Sequence, residues 1–491
     1  RAKQLEGSHS LYDLMLSFCA SSEDPISGGR HKVLGSRALN IPPQTSTIAS
    51  HLPKAMGTAY AIGLSKRLKQ AGQWPDDAIV LCNFGDASAN HSTAVGTLNA
   101  TGWSAYQGMP MPILYVCEDN GIGISTSNPR GWTAQQLQNY PAIRYYYADG
   151  ANVSETYAVA RQAAEYIRRT RKPAILHLKT QRFFGHAGAD AEVAYRSNES
   201  IEQSFETDVL LQSAAQVIER ELCTGIQLSE KAQCWLQRIR RVGTEASARP
   251  RLECAESVMA SIVPKTLADD TQPLTSTQQQ AVFAFDKRNF KKPQPLGKMI
   301  NWALHEILAR YQNTVVFGED VGKKGGVYHV THHLFDHFGA NRVVNTLLDE
   351  QSILGLAMGM AQQGFLPIPE IQFLAYVHNA EDQIRGEAAT LPFFSNGQYH
   401  NGMVIRIAGL AYQKGFGGHF HNDNSFAVFR DIPGVIVMCP SNGQDAVLMM
   451  RHAVQLAHCQ KRLVIFLEPI ALYMTRDLLA EGDKGWLHEF P

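Results

Sequence analysis

Short apolar runs recur along the chain, and longer segments with helical periodicity separate them. An apolar run of roughly four to eight residues fits a strand buried on both faces, as in a parallel sheet. Strands that alternate with helices build βαβ units, so the pattern predicts an α/β protein with parallel sheets covered by helices. The predicted strands are residues 78–83, 111–117, 174–179, 314–317, 368–373, 402–407, 435–439 and 463–467.

A change in composition divides this series into two similar α/β domains. Residues 264–295 are rich in Thr, Gln, Asp, Lys and Pro, which is typical of a linker. We expect a first domain at residues 1–200, charged helices at 201–263 that extend it, and a second domain at 296–491.

Composition excludes several classes of partner. Lys plus Arg and Asp plus Glu each total 45, so no broad charge favours nucleic acid or an anionic membrane surface. No apolar run approaches the length of a membrane-spanning helix, and no signal peptide is visible.

The eight cysteines are scattered without CxxC spacing, which indicates free thiols in a reducing compartment.

Polar segments follow two of the predicted strands in the first domain. Asp86 follows residues 78–83, and Asn120 follows residues 111–117. Because open α/β sheets bind ligands at the carboxyl ends of their strands, we expect both side chains at such an edge. Together with the carbonyl of Ile122 they would give Mg²⁺ the few hard oxygens it takes from a protein. Turn capping is an equally good interpretation of an isolated Asp and a distant Asn. The glycines that would let the backbone turn sharply near a phosphate are Gly85, Gly121 and Gly123.

These residues resemble the thiamine-diphosphate motif, which begins Gly-Asp-Gly and ends in Asn. Their flanks resemble the α subunit of the decarboxylating component of 2-oxo acid dehydrogenase complexes. Two departures are present: Ala87 replaces the second motif glycine, and the interval from Asp86 to Asn120 is somewhat longer than usual. The resemblance implies that the diphosphate and Mg²⁺ are bound by Gly85, Asp86, Ala87, Asn120 and Ile122.

A loop at residues 179–190 resembles the phosphate-contacting loop of the same family. The resemblance implies that Arg182 binds phosphate oxygens and that His186 hydrogen-bonds the diphosphate or a substrate intermediate. On residue type alone, His186 is more often a surface histidine. Ala187 and Gly188 follow it where mitochondrial relatives carry a regulatory serine, so we expect no kinase control at this point.

Residues 44–54 resemble the family segment before the first helix. By position, Ile48 would hold the cofactor in its bent shape. Thr45, Ser50 and His51 would help to bind a structural potassium ion.

The second half resembles the β subunit of the same component. The resembling segments are residues 317–322, 345–350, 369–376, 417–421 and 431–435. In that family one chain binds the diphosphate and the other binds the pyrimidine ring, whereas here both types of sequence occur in one chain. The resemblance implies two thiamine-diphosphate-binding, transketolase-like domains.

Activation of the cofactor explains why a carboxyl group is needed in the second half. A carboxyl hydrogen-bonded to the aminopyrimidine favours the imino tautomer, which removes the thiazolium C2 proton. Glu350 stands at the matching position. Asp349 and Glu319 are rival carboxylates, and residue type alone does not choose among the three.

Further positions carry over from the β subunit. Tyr376 matches the aromatic that stacks on the pyrimidine, and Leu348 and Gln372 match neighbouring contacts. His421 matches the active-site histidine that handles protons on the substrate and positions the lipoyl group. His419 lies two residues away, but the distance to the Ile-Pro-Gly turn favours His421.

The resemblance implies oxidative decarboxylation of a 2-oxo acid and transfer of the acyl group to a lipoyl-bearing acyltransferase, with branched-chain substrates favoured over pyruvate or acetoin. A transketolase or deoxyxylulose-phosphate synthase is a second possibility, although the His and Arg set for a sugar phosphate is not found. A degenerate scaffold protein is a third, but Asp86, Asn120, Glu350 and His421 are all present.

We also expect a homodimer or higher homo-oligomer, in the bacterial cytoplasm or, for a eukaryotic source, in the mitochondrial matrix. The first residue is Arg1, and the family's N-terminal Tyr-Arg pair and C-terminal domain are not found. The sequence is therefore expected to be a fragment of a longer polypeptide.

Overall fold

The computed structural model describes residues 9–70, 74–263, 274–290, 292–414 and 416–491. These residues form two compact units. The described part of the first unit is residues 9–34, 62–66, 70 and 74–252, and that of the second is 35–61, 67–69, 253–263, 274–290, 292–414 and 416–491. Residues 35–61 thus group with the second unit, although the sequence predicted them within a first domain at 1–200. The domain boundaries themselves stay a prediction.

Parallel sheets form the centre of each unit, as predicted. The first unit has the strand order β1-β2-β6-β5, and the second has β11-β12-β10-β9-β7-β8. All pairings within these two sheets are parallel. The strands are β1 (Val80–Gly85), β2 (Ile113–Asp119), β3 (Ile122–Gly123), β4 (Thr126–Ser127), β5 (Arg144–Asp149), β6 (Ala174–Lys179), β7 (Thr314–Gly318), β8 (Val343–Asn345), β9 (Leu366–Ile371), β10 (Met403–Gly409), β11 (Val435–Met438) and β12 (Leu463–Pro469).

Helices connect and cover the strands. The α-helices are α1 (Ser10–Phe18), α2 (His51–Arg67), α3 (Asp86–Ala89), α4 (Ser92–Tyr106), α5 (Trp132–Gln138), α6 (Val153–Thr170), α7 (Asn198–Glu206), α8 (Val209–Glu219), α9 (Gly225–Ser247), α10 (Ala255–Met259), α11 (Ser276–Val282), α12 (Leu296–Arg310), α13 (Leu334–Phe338), α14 (Glu350–Gln362), α15 (Val377–Asp382), α16 (Leu391–Phe394), α17 (Gly418–His421) and α18 (Gly443–Cys459). Short 3₁₀ turns lie at Glu192–Ala194, Ala284–Asp286, Leu374–Tyr376, Phe426–Asp431 and Ile470–Leu472, and Gln383–Ala389 is a π-helix. No helix of the described residues is long and apolar enough to cross a membrane.

Several elements were not predicted. Strand β5 was missed because its exposed and half-buried Arg and Tyr side chains give no apolar run, and β3, β4 and β8 were missed because they are only two or three residues long. Within the predicted linker, residues 264–273 and 291 lie outside the described residues, and residues 276–282 form the helix α11. Phe283 follows that helix and is buried among the rings of Phe290, Trp302 and Phe490. These aromatic side chains anchor the segment to the core of the second unit.

Close contact between α2 and α14 is possible because both helices carry glycine at the crossing. The sequence places Gly355 and Gly359 one turn apart, on one face of α14. A Cβ atom added at Gly355 would lie 1.9 Å from Cβ of Pro53, and one added at Gly359 would lie 2.1 Å from the backbone nitrogen of Thr58. This face of α14 therefore packs closely against α2.

A buried ion pair lies beside this crossing. Lys54 Nζ is 2.7 Å from Glu387 Oε2, and the two side chains are 7% and 0% exposed. Ser50 Oγ and Thr45 Oγ1 donate to the other oxygen, Glu387 Oε1, at 2.5 and 3.2 Å. Both oxygens of the Glu387 carboxylate therefore have hydrogen-bond partners, as a buried charge requires.

A second buried ion network ties three strands of the second sheet together. Arg406 on β10 pairs with Glu468 on β12 through Nε and Nη2, at 2.6 and 2.9 Å. Its Nη1 donates to Glu370 on β9 at 2.5 Å. Tyr473 Oη donates to Glu468 at 2.5 Å. One cation thus compensates two carboxylates, and removal of Arg406 would leave both buried and unpaired.

Substitution of Gly355 by alanine is expected to destabilise the second unit. The added methyl group would overlap Pro53, and overpacking of this kind costs about 1–3 kcal/mol. Differential scanning calorimetry should therefore show a lower unfolding midpoint. Gly243→Ala is the matched control, because Gly243 lies within α9 with no atom within 4 Å of an added Cβ, and this variant should unfold at or slightly above the wild-type midpoint. Equal midpoints for the two variants would contradict the close packing.

Candidate functional site

Asp86 lies where β1 ends and α3 begins in the first unit. Strands β1 and β2 are parallel neighbours, with Gly85 opposite Glu118, so Asn120 follows at the same edge of the sheet. Asp86 Oδ1 accepts the backbone N–H of Asn120 at 3.4 Å, and Oδ2 accepts the side-chain amide of Asn128. The structure therefore brings Asp86 and Asn120 together and adds Asn128, which the sequence did not single out.

The carboxylate of Asp86 is buried without a cation of its own. The residue is 1% exposed. Burial, and then the negative charge of Asp119, raise the pKa of Asp86, while hydrogen bonds from Asn120 and Asn128 oppose the rise. Among the described residues, no Lys, Arg or His pairs with it. A carboxylate in this environment would be stabilised by a bound cation.

Asn120 caps its own turn. Its Oδ1 accepts the backbone N–H of Ile122 at 3.1 Å, which is the turn-capping alternative considered for this residue. Gly121 has φ +79, a conformation that favours glycine, whereas Gly85 has φ −90, which any residue adopts. Gly121 therefore uses the backbone freedom of glycine, whereas Gly85 has an ordinary backbone conformation, and their approach to a phosphate stays a prediction.

Ala87, the departure from the motif, faces a glycine. A Cβ added at Gly123 would lie 2.8 Å from Cβ of Ala87. The methyl group at position 87 therefore occupies space that a side chain at position 123 would need. The motif's second glycine is replaced here without a collision because position 123 is itself glycine.

Behind Asn120, a hydrogen-bonded chain crosses three strands. Asp119 Oδ2 is 2.9 Å from His177 Nε2, and His177 Nδ1 is 2.8 Å from Tyr145 Oη. Burial would raise the pKa of Asp119, but the hydrogen bond with His177 and the charge of Lys179 lower it overall. Sequence reasoning missed this network, although a histidine within the apolar run at 174–179 was its signal.

The two loop residues predicted to contact phosphate are placed differently from each other. Arg182 Nη1 donates to the carbonyl of Ile124 at 2.8 Å, and Nη2 donates to Glu192 and Tyr195 at 3.3 and 2.8 Å. Its Nε is buried and has no partner among the described residues. His186 is exposed, and its backbone N–H, 2.6 Å from a carboxylate oxygen of Asp190, fixes the loop. Arg182 would have to exchange protein contacts to bind a phosphate with its outer nitrogens.

The predicted cofactor wedge and potassium ligands belong to the second unit. Ile48 is 53% exposed. Thr45 and Ser50 direct their hydroxyl groups to Glu387, and His51 is the first residue of α2. The hydroxyls expected to bind potassium thus serve a carboxylate in this structure.

Glu350 is the first residue of α14. Its Oε2 accepts the side-chain amide of Asn379 at 2.8 Å. The rival Asp349 precedes the helix, and its carboxylate accepts the hydroxyl of Ser352. Among the described residues, each of these two carboxylates therefore accepts a side-chain hydrogen bond on one oxygen only, so hydrogen bonding alone does not choose between Asp349 and Glu350.

The other rival, Glu319, follows β7 and is 9% exposed. Burial, followed by the negative charges of Glu350, Asp320 and Glu370, raises its pKa to about 7. The charge of Glu350 therefore contributes to the raised pKa of Glu319. Near neutral pH about half of the Glu319 side chains would carry a proton.

An aromatic enclosure surrounds His421. Its ring centroid lies 4.5 Å from that of Phe373, 5.0 Å from that of Phe416 and 6.2 Å from that of Tyr376. Its Nδ1 is 3.1 Å from the carbonyl oxygen of Gly417. Two of the predicted site residues, His421 and Tyr376, are thus brought together.

The remaining predicted contacts are Leu348 and Gln372. Leu348 is 83% exposed. Gln372 lines a small cavity together with Tyr328, Glu370 and Arg406. No described contact links either residue to Glu350.

Two known protein families match different regions of the chain. A family model described as "Dehydrogenase E1 component" matches residues 5–254, more than half of the chain. The chain belongs to this family. A second model, described as "Transketolase, pyrimidine binding domain", matches residues 292–475. This E1 chain therefore combines an α-type and a β-type region in one polypeptide, and both are thiamine-diphosphate-dependent families.

Several curated relatives of this E1 chain are β subunits of 2-oxo acid dehydrogenases. The 2-oxoisovalerate dehydrogenase subunit beta, mitochondrial, of Dictyostelium discoideum is 40% identical over 186 residues, which cover 38% of this chain and 48% of the relative. The 3-methyl-2-oxobutanoate dehydrogenase subunit beta of Mycobacterium tuberculosis is 36% identical, over 37% of this chain and 50% of the relative. The pyruvate dehydrogenase E1 component subunit beta of Staphylococcus epidermidis is 38% identical, over 36% and 52%. The chain spans about half the length of these relatives.

Replacement of Glu319 by glutamine should change how stability depends on pH. The pKa of Glu319 is raised in the folded state, so the folded state favours the protonated carboxyl, and stability is lost as pH rises from about 4.5 to about 7. The neutral amide of Glu319→Gln removes this contribution. The gap between variant and wild-type unfolding midpoints should therefore widen in favour of the variant over this range. A gap that stays constant with pH, measured by calorimetry, would refute the raised pKa.

Proposed function

We propose that the protein catalyses the thiamine-diphosphate-dependent oxidative decarboxylation of a 2-oxo acid and passes the acyl group to a lipoyl group on a partner acyltransferase. The observation that carries this proposal is the match of one chain to both the E1 component and the pyrimidine-binding domain. The presence of both types of region supports a chain that contributes both halves of the cofactor chemistry.

The donor set in the first unit fits a magnesium diphosphate. Asp86 offers a buried carboxylate that has no Lys, Arg or His partner in the part of the chain that the structure describes. The side-chain oxygen of Asn120 and the carbonyl of Ile122 are further hard oxygens. We assign the metal to these three residues and the diphosphate to Gly85, Ala87, Arg182 and His186 as well. The side-chain oxygen of Asn120 has two lone pairs, so it can accept the N–H of Ile122 with one and offer the other to the metal.

The second unit would bind the pyrimidine ring. Glu350 would share a proton with a ring nitrogen through the carboxylate oxygen that has no described partner, and Tyr376 would stack on the ring. Ile48, Leu348 and Gln372 would complete the contacts. When bound, thiamine diphosphate supplies a carbon nucleophile for the keto group and a sink for the electrons released with CO₂.

Proton transfer to and from the substrate is assigned to His421. Its ring contacts Phe373, Phe416 and Tyr376, which restrict its orientation. Its Nδ1 lies 3.1 Å from the Gly417 carbonyl, and an N–H donated there would fix the tautomer and leave Nε2 to exchange a proton. His186 on the exposed loop would assist at the diphosphate or the substrate.

A branched-chain 2-oxo acid such as 3-methyl-2-oxobutanoate is the proposed substrate, supported by the names of the Dictyostelium and Mycobacterium relatives. Pyruvate is the second candidate, because the Staphylococcus relative is similar to the same degree. A homo-oligomer and a structural potassium ion at Thr45, Ser50 and His51 complete the proposal.

Reduction of an artificial electron acceptor by the full-length protein tests the function. Pyruvate, 3-methyl-2-oxobutanoate and 2-oxoglutarate should be compared with Mg²⁺ and thiamine diphosphate present. The highest kcat/KM is expected with 3-methyl-2-oxobutanoate. Turnover with none of the three would reject the activity, and a preference for pyruvate would move the substrate to the second candidate.

Glu350→Gln should retain cofactor binding and lose most turnover. The amide has the size of the carboxyl group, but it cannot exchange a proton with the nitrogen of the pyrimidine ring. A loss of at least about 100-fold in kcat is expected for a group in general acid–base catalysis. Glu481→Gln, which neutralises an exposed carboxylate of the same unit, is the control and should turn over normally. Wild-type kcat in Glu350→Gln would mean that another carboxylate acts.

Asp86→Asn should weaken metal binding without destabilising the protein. The affinity for thiamine diphosphate with Mg²⁺ should fall at least about tenfold, because a charged metal ligand is lost. The unfolding midpoint of the cofactor-free protein should not fall, because the substitution removes a buried carboxylate that has no cation. Titration calorimetry and thermal unfolding measure the two effects, with exposed Asp77→Asn as control. Unchanged affinity would exclude Asp86 as a ligand.

A further inference from the structure

Asn379 lies on the short helix α15, and its contact with Glu350 was not foreseen from the sequence. Its Nδ2 donates to Glu350 Oε2 at 2.8 Å. Among the described residues this is the hydrogen bond that Glu350 receives on its carboxylate. The two residues belong to the same compact unit, on α15 and at the start of α14.

The orientation of this amide is fixed by a second residue. Gln351 Nε2 donates to Asn379 Oδ1 at 3.3 Å. Because the oxygen of the amide is engaged by a donor, the nitrogen must point to the carboxylate, and the reverse orientation would place two oxygens against each other. Gln351, Asn379 and Glu350 therefore form a directed chain of donors that ends on Glu350 Oε2.

The carboxylate needs such a restraint. Glu350 is half-buried, and its negative charge interacts unfavourably with nearby Glu319. Among the described residues no Lys or Arg pairs with Glu350, so no ion pair holds its side chain. A long side chain without a partner samples several rotamers, and ordering it has an entropic cost.

We propose that Asn379 is a positioning residue that holds Glu350 through Oε2 and leaves Oε1 as the oxygen that meets the pyrimidine ring of the cofactor. This inference rests on the proposed function, in which Glu350 shares a proton with that ring. A neutral amide suits this task, because it restrains the carboxylate without introducing a positive charge that would compete for its proton. Residues on α14 and α15 together would thus set the position of the Glu350 carboxylate.

Variants of the donor separate positioning from general damage. Asn379→Ala removes the hydrogen bond, and Asn379→Asp keeps the shape but places a second carboxylate against Glu350. Gln351→Met keeps Asn379 and removes the hydrogen bond that orients it, so its effect should be smaller. His378→Ala is the matched control, because His378 precedes Asn379 on the same helix and its described ion-pair contacts are with Glu381 and Asp423.

The first measurement uses the full chain loaded with Mg²⁺ and thiamine diphosphate. Exchange of the cofactor's C2 proton with deuterium, followed by NMR in rapid-quench samples, reports cofactor activation before any substrate is added. Asn379→Ala should slow the exchange about tenfold, the effect of one hydrogen bond to a charged group. Asn379→Asp should slow it more, and His378→Ala should leave it unchanged. The dissociation constant of the cofactor should change little in all of them.

The second measurement needs no cofactor. A crystal structure of Asn379→Ala without ligand should show Glu350 in more than one rotamer, whereas the wild-type and His378→Ala proteins should show one. A single, unchanged rotamer in Asn379→Ala would overturn the inference, as would wild-type exchange in that variant or a loss of cofactor affinity as large as the loss of exchange. If the wild-type protein itself exchanges no C2 proton, the proposed function fails, and the rotamer comparison still decides the role of Asn379.

Discussion

The close approach of α2 to α14 is the constraint on which the second half of the candidate site depends. Glycine at 355 and 359 lets the two backbones meet, and Pro53 and Thr58 fill the space that side chains would otherwise occupy. Since Glu350 is the first residue of α14, the same contact fixes the position of the backbone that carries the predicted catalytic carboxylate. A substitution at Gly355 or Gly359 that shifts α14 would therefore also move Glu350, which lies more than one turn away. Packing and chemistry are coupled here through a rigid helix.

Charge is distributed unevenly around that carboxylate. Arg406 is fully used by Glu468 and Glu370 within the sheet, so it does not compensate Glu319 or Glu350. Burial, and after it the negative charges of Glu350, Asp320 and Glu370, raise the pKa of Glu319. Glu350 accepts its hydrogen bond from the neutral amide of Asn379, whereas an exposed carboxylate in a surface ion pair would be bound by a lysine or an arginine. Acid–base behaviour near neutral pH is thereby built into the unit.

Sequence reasoning succeeded where a local pattern carries the information. Buried parallel strands show as apolar runs, and the sheet edge expected to bind a ligand follows from where those runs end. Asp86 and Asn120 were therefore correctly predicted to be neighbours. Strand β5 escaped because an edge strand with exposed Arg and Tyr has no such run. Asn128 and Asn379 escaped for a different reason. Each acts by donating one hydrogen bond to a residue distant in sequence, and no spacing rule marks such a donor.

The Lys54–Glu387 pair has a consequence for how this chain can be divided. A fragment that begins after the compositional boundary at 264–295 would contain Glu387 but not Lys54, Ser50 or Thr45. The Glu387 carboxylate of this fragment would then lack the Lys54 ammonium group on α2. Loss of one partner of a buried ion pair costs about 3–5 kcal/mol of stability. The pyrimidine-binding region is thus a module in sequence but not a separable part in three dimensions. Expression of the second half alone would require supplying residues 35–61, either as a fused segment or as a peptide added in trans.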